Sequence, residues 1–295
     1  MTGLFDAPAA YLGGVGLFLS LAGLGLGIGV LTGLFGVGGA FITTPLLNVL
    51  LGIPYDVAVG SSLSLTIGTG ASGYRRHLRL GNVEEKTMLI LAGGAVCGMA
   101  LGAMLNEFVR RDLGVRDFTL IMHGLFIAIL LLTALLVFRG PAGGPVGRSL
   151  LQRVGVGPRI DLPGAGLAGV SLPGMCAAGL VVGAVGGMMG IGGGVLYMPV
   201  LLLAVGLSVR QSVGTSLGVV TFGSVAGTVA YCLQGKASLL VVVALLSGST
   251  LGAQTGAYLC QRLHATRIRR YFSLLVVVVV VLLIVDFIRK LGAAH

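Results

Sequence analysis

Charge is what this sequence has least of. Its 295 residues carry 19 basic and 9 acidic side chains, and residues 7–55 and 162–209 carry none at all. Tryptophan is missing, and aromatics make up only 6% of the chain. So little charge and a mean hydropathy of +1.04 exclude a soluble domain. Several uncharged runs reach the roughly 20 residues that one helix needs to cross a bilayer. The four cysteines (Cys97, Cys176, Cys232 and Cys260) have no paired spacing, which argues against a disulfide or zinc framework and for small buried side chains. No Ser/His/Asp set, metal-ligand spacing or Gly-x4-Gly-Lys loop occurs, so no enzyme, cofactor or metal is expected. Met1–Leu12 lacks a basic run, so the first span is expected to act as an uncleaved signal. The chain is therefore an all-α polytopic membrane protein, with the bilayer as its first partner.

A formal net charge of +10 invites a nucleic-acid reading. The basic residues, however, sit in short segments between apolar runs, as the positive-inside rule requires. No nucleic-acid partner is expected.

What the chain does have is glycine, 52 residues of it. Gly33-Leu-Phe-Gly36-Val-Gly38-Gly39-Ala-Phe-Ile-Thr43-Thr44-Pro45 interrupts one long apolar run. Gly187-Met-Met-Gly190-Ile-Gly192-Gly193-Gly194-Val-Leu-Tyr197-Met-Pro199 interrupts the other. In water both would read as loops. In hydrocarbon an open backbone must be buried in protein or line a cavity, so both read as broken-helix elements near the midplane. As one helix, either uncharged run would span roughly 70 Å, about twice the hydrocarbon thickness. Each is therefore two segments joined at the glycines.

The first half is expected to place segments near Leu12–Gly33, Ala40–Leu51, Val57–Tyr74, Thr87–Glu107 and Phe118–Phe138. The second repeats the order at Gly174–Met189, Gly194–Val205, Gln211–Leu233, Leu239–Cys260 and Tyr271–Ile288. The halves align without a gap at an offset of 154 residues, with Gly36, Gly38, Gly39, Pro45, Gly60 and Ser62 returning as Gly190, Gly192, Gly193, Pro199, Gly214 and Ser216. This gives an N-terminal repeat over 1–138, a linker over 139–173 containing Arg139, Arg148, Arg153 and Arg159, and a C-terminal repeat over 174–295. Five crossings per half make the repeats inverted and put 13 basic residues inside against 6 outside; four crossings score 11 against 8. The positive-inside rule favours five, with both termini outside.

Inverted repeats with broken helices are an architecture of secondary transporters, whose sites lie between the repeats. A half-helix N-terminus offers free N–H groups and a partial positive charge, which suit an anion. Gly36, Gly38 and Gly39, and Gly190, Gly192, Gly193 and Gly194, would let a solute approach the backbone, since no Cβ obstructs it. Thr43, Thr44 and Tyr197 follow in the next turn. Ser61 and Ser62, with Thr215 and Ser216, add hydroxyls that serve either the solute or their own helices. Glycine every fourth residue (Gly94, Gly98, Gly102; Gly248, Gly252, Gly256) reads as close helix packing, with Gln254 inside the second run a weaker solute candidate. His123 is either a proton relay or a packed histidine bonded to a neighbour.

These stretches resemble the TauE/SafE sulfite-exporter family, also called the sulfonate-uptake (TSUP) permeases. The resemblance is carried by residues 36–45 and 190–199, by Val59-Gly-Ser-Ser62 and Arg79-Leu-Gly-Asn-Val83, and by Leu251-Gly-Ala-Gln-Thr-Gly256. It implies a transporter of small sulfur-containing anions (sulfite, sulfoacetate or other organosulfonates) in a bacterial inner membrane, coupled to a proton or sodium gradient. A passive anion channel and a non-transporting membrane scaffold are the competing readings. The oligomeric state is left open, a homodimer being one option.

Overall fold

Where the uncharged runs cross hydrocarbon, helix is the structure open to them, because hydrocarbon supplies no partner for a bare amide. In the computed structural model, which describes residues 15–139, 149–153 and 157–292, those runs are helical from Val15 and from Leu172 onward, apart from the glycine breaks and the turns that end them. Met1–Leu12 and Arg148 lie outside the described residues. The first half contains α1 (Val15–Phe35), α2 (Ala40–Leu51), α3 (Tyr55–Arg79) and α4 (Glu85–Arg139). A short α5 (Leu150–Arg153) and an antiparallel hairpin of β1 (Arg159–Leu162) and β2 (Leu167–Ser171) follow. The second half contains α6 (Leu172–Met189), α7 (Gly194–Pro199, continued as a π-turn over Val200–Val205), α8 (Val209–Leu233), α9 (Leu239–Arg262) and α10 (Ala265–Gly292). Among the described residues seven helical stretches are long and apolar enough to cross a bilayer, and two shorter apolar ones begin at Ala40 and Gly194.

Two features add detail to the expectation. The segment read as a linker holds the hairpin, whose Leu162 and Val170 are buried with Met88 and Leu91 of α4. The fourth and fifth segments are one helix, α4, of 55 residues. Straight, it would run roughly 80 Å, which its contacts forbid. At its start the Glu84 amide donates to Thr215 of α8 over 3.0 Å. Near its end the Val137 carbonyl accepts from Arg269 of α10 over 3.2 Å. Arg210 of α8 donates to the Leu263 carbonyl in the α9–α10 turn, so both ends of α4 lie at the same end of the bundle. Glu107, midway, pairs with Lys236 at the opposite end. The helix therefore doubles back between Val109 and Ile121, and its two arms cross separately.

The same contacts gather Arg75, Arg76, Arg79, Arg210, Arg262 and Arg269 at one end. The halves interlock, α1 lying along α9, α4 along α6 and α3 along α8. Glycine lets these backbones meet. A Cβ on Gly94 would strike the Cys176 carbonyl, and one on Gly248 the Ala22 carbonyl. A Cβ on Gly60 would strike the Lys236 carbonyl, and one on Gly214 the Asn82 carbonyl. In both pairs the second contact is the first with the two halves exchanged at an offset of 154 residues. That is the relation a pseudo-two-fold axis imposes.

Neighbouring glycines separate packing from mere composition. Gly94→Ala must push apart two backbones, at a cost of about 1–3 kcal/mol. Gly93→Ala meets nothing within 4 Å and should be neutral or slightly stabilising through helix propensity. Thermal unfolding of the two variants in detergent checks the contrast.

Candidate functional site

Glycine conformation fixes both breaks. Gly36, Gly38 and Gly39 have φ of 76, 74 and 89°, and Gly190, Gly192 and Gly193 have φ of 69, 68 and 72°. Side-chain-bearing residues rarely adopt such backbone. The left-handed Gly39 starts α2 and the left-handed Gly193 starts α7, neither with a side-chain cap. Within α7, Pro199 removes a donor from the ladder, and the π-turn follows directly after it.

The breaks touch each other. A Cβ on Gly194 would strike the Val37 carbonyl, and one on Gly192 would stand 3.4 Å from the Cβ of Ala40. Val220 of α8 reaches towards both Gly38 and Gly192. Val37, Ala40, Thr43, Thr44, Val195 and Tyr197 are all buried.

The carbonyls of Gly36 and Gly190 are satisfied across the repeat. Ser216 donates to the Gly36 carbonyl over 2.6 Å. Ser62 and Thr44 both reach the Gly190 carbonyl, over 3.3 and 3.0 Å, and share a 2.6 Å bond with each other. Thr43 donates to the Gly39 carbonyl and Tyr197 to the Gly179 carbonyl. The amides differ. Among the described residues, no acceptor bonds the N–H groups of Gly38, Gly39 and Ala40, nor those of Gly192, Gly193 and Gly194.

Two side chains that sequence reasoning passed over complete this picture. Thr32 of α1 and Ser224 of α8 are fully buried, and their hydroxyls have no hydrogen-bond partner. A Cβ on Gly39 would lie 2.8 Å from the Thr32 hydroxyl oxygen, and one on Gly192 would lie 3.6 Å from that of Ser224. Each break thus has one orphaned hydroxyl beside its left-handed glycine. Burying such a group without a partner costs about 1–3 kcal/mol, so its retention asks for a reason.

The remaining candidates lie elsewhere. The hydroxyls of Ser61 and Thr215 accept from the Ser238 and Glu84 amides over 2.9 and 3.0 Å, beside the starts of α9 and α4. Gln254 lies in a groove between α3 and α9, bonded to Ser72 over 3.1 Å. His123 is buried, its ring 5.3 Å from that of Tyr55, whose hydroxyl donates to the Met189 carbonyl.

Seven helical stretches long and apolar enough to cross a bilayer, among the described residues, make this an integral membrane protein, and the comparisons place it among membrane transporters. The sequence profile described as "Sulfite exporter TauE/SafE" matches residues 21–283. The chain belongs to the TauE/SafE sulfite-exporter family, a family of membrane transporters rather than enzymes. It is 30% identical over 234 residues to the probable membrane transporter protein YdhB of Bacillus subtilis, covering 78% of this chain and 85% of that one. It is 26% identical over 274 residues to YunE of the same organism, also a probable membrane transporter protein, covering 85% and 91%. A 90-residue stretch is 32% identical to "Sulfite exporter TauE/SafE family protein 3" of Arabidopsis thaliana, covering 30% of this chain and 19% of that one. No solved structure matches.

The carbonyl bonds predict an asymmetry. The Gly190 carbonyl has two hydroxyls within reach, Thr44 and Ser62, one donating to it while the other donates to its neighbour, whereas Gly36 has Ser216 and, among the described residues, no second one. Ser216→Ala should therefore destabilise the protein by about 1–3 kcal/mol, and Ser62→Ala by clearly less. Thermal unfolding of both variants in the same detergent checks this.

Proposed function

We propose that the protein is a secondary transporter of a small sulfur-containing anion, such as sulfite or an organosulfonate, which binds between the two glycine breaks. The observation that carries the reading is the unequal satisfaction of the breaks. The Gly36, Gly39 and Gly190 carbonyls are bonded by serine and threonine, while the Gly38–Ala40 and Gly192–Gly194 amides and the hydroxyls of Thr32 and Ser224 have no acceptor among the described residues. Such a neighbourhood lacks a negative group and offers donors to one. Helix N-termini favour anions through both free N–H groups and dipole. Gly38, Gly39, Gly192, Gly193 and Gly194 then serve as backbone donors, while Gly36 and Gly190, whose amides are bonded within α1 and α6, set the bend that turns those donors inward.

The contacts exchanged between halves support an inverted five-plus-five arrangement, in which rocking of one repeat against the other exposes the breaks to each side in turn. The basic end is then cytoplasmic by the positive-inside rule, and the membrane is the bacterial cytoplasmic membrane. A proton or sodium ion supplies the coupling, His123 being the candidate relay for the proton.

Flux into liposomes tests this. The purified protein should carry sulfite or a sulfonate with saturable kinetics that respond to an ion gradient. Thr32→Val and Ser224→Ala should each raise the half-saturating concentration roughly tenfold, the equivalent of ~1.4 kcal/mol for one donor. The same variants should leave the stability of the empty protein unchanged or raised, because each removes a hydroxyl that has no partner there. Flux of a cation alone, or half-saturation unmoved in both variants, would reject the reading. Flux without saturation or gradient dependence would make the protein a channel.

A further inference from the structure

The groove that holds Gln254 is unlike the rest of the bundle surface. A cavity of about 390 Å³ lies between α3 and α9, lined by Ala71, Ser72, Arg75, Arg76, Arg79 and Gln254. The three arginines share one face of α3, being spaced by one, three and four residues. None of the lining residues is acidic. Ser72 and Gln254 hydrogen-bond each other across the groove, and Ser72 donates on to the Thr250 carbonyl. At the rim Arg262 lies over the Tyr258 ring, 4.6 Å from its centre, and Arg76 lies 6.0 Å from it. Leu251 and Leu78 beside the groove are exposed, so its basic mouth opens onto an apolar flank.

The repeat supplies a control. At an offset of 154 residues the same positions on the other half are Val225, Ala226, Val229, Ala230 and Leu233, with Ala100 in place of Gln254. Packing of an α3-type helix in this fold is therefore met by an entirely apolar face. Scattered loop charges would satisfy the positive-inside rule without three guanidinium groups in one cavity beside an amide and a hydroxyl.

We propose that this groove is an oxyanion site on the outer face of the bundle, separate from the helix breaks. The ligand is a phosphate- or sulfonate-type group held by the Arg75, Arg76 and Arg79 guanidinium groups and the Gln254 amide. Guanidinium forks match such oxygens in pairs, and basic pockets between membrane helices take phospholipid headgroups in this way. The source is either the phosphate of an anionic lipid, whose chains would lie along the Leu251 flank, or a free anion from the cytoplasm.

Binding, measured apart from transport, tests the proposal on the full chain. The purified protein is melted in detergent with added phosphatidylglycerol, with phosphatidylcholine, and with phosphate, sulfate or sulfite at constant ionic strength. Wild type should be stabilised by phosphatidylglycerol over phosphatidylcholine if the source is lipid, or by a free anion if it is soluble. The Arg75→Gln/Arg76→Gln/Arg79→Gln variant should need at least tenfold more of that ligand, and Gln254→Ala, which keeps every charge, should weaken it in the same direction. Arg153→Gln, on α5, which packs against β2 and the π-turn, should bind as wild type. If neither source stabilises wild type, or if the triple variant and Gln254→Ala both respond as wild type does, the proposal falls. Because no flux is measured, its failure leaves the reading of the helix breaks untouched, and the reverse.

Discussion

A backbone amide or carbonyl inside hydrocarbon must find its partner within the protein, and this fold is arranged around the two places where helix cannot supply one. At Gly36–Gly39 and Gly190–Gly193 the i to i−4 ladder stops in the middle of the bundle. Two of the carbonyls released there are recovered by side chains of α2, α3 and α8, with Ser216 reaching Gly36 and Ser62 with Thr44 reaching Gly190. Close packing of α1 on α9 and α4 on α6 holds those helices near enough for the recovery. The glycines that make that approach feasible are the same ones that set the sequence's rhythm. Stability and the candidate site therefore share one set of backbone contacts.

Much of this was legible in the chain because the constraints are written in glycine. The two breaks, the start of α2 at Ala40 and of α7 at Gly194, and the helix contacts at Gly94, Gly98, Gly248 and Gly252 all follow from residues that repeat at 154 positions. Two things were not legible. Thr87–Glu107 and Phe118–Phe138 read as separate spans, as they are, but nothing in the pattern says that the turn joining them is itself built of helical residues. Thr32 and Ser224 were missed because the repeat was searched for identities. Thr32 pairs with Gly186 and Ser224 with Gly70, so neither stands out, and a lone hydroxyl in a span usually bonds its own helix. Only their surroundings show that neither hydroxyl is bonded.

The departures from symmetry are as informative as the symmetry. Thr44 stands where the other half has Met198, and it puts a second hydroxyl within reach of Gly190 that Gly36 lacks. Arg75, Arg76 and Arg79 stand where the other half has Val229, Ala230 and Leu233. A pseudo-two-fold fold with equal ends would present the same face to both sides of the membrane. The three arginines make the two ends of the bundle chemically different without altering the helix contacts that glycine maintains.

The central claim is that an anion rests on the amides of the two breaks. Selenite, the heavier congener of sulfite, makes that directly visible by anomalous scattering from crystals of the protein soaked or grown with it. The account predicts a selenium peak within hydrogen-bonding reach of the Gly38–Gly39 and Gly192–Gly193 amides and of the Thr32 and Ser224 hydroxyls. Selenium elsewhere in the bundle, with those amides still packed and empty in protein shown to carry the anion, would contradict it.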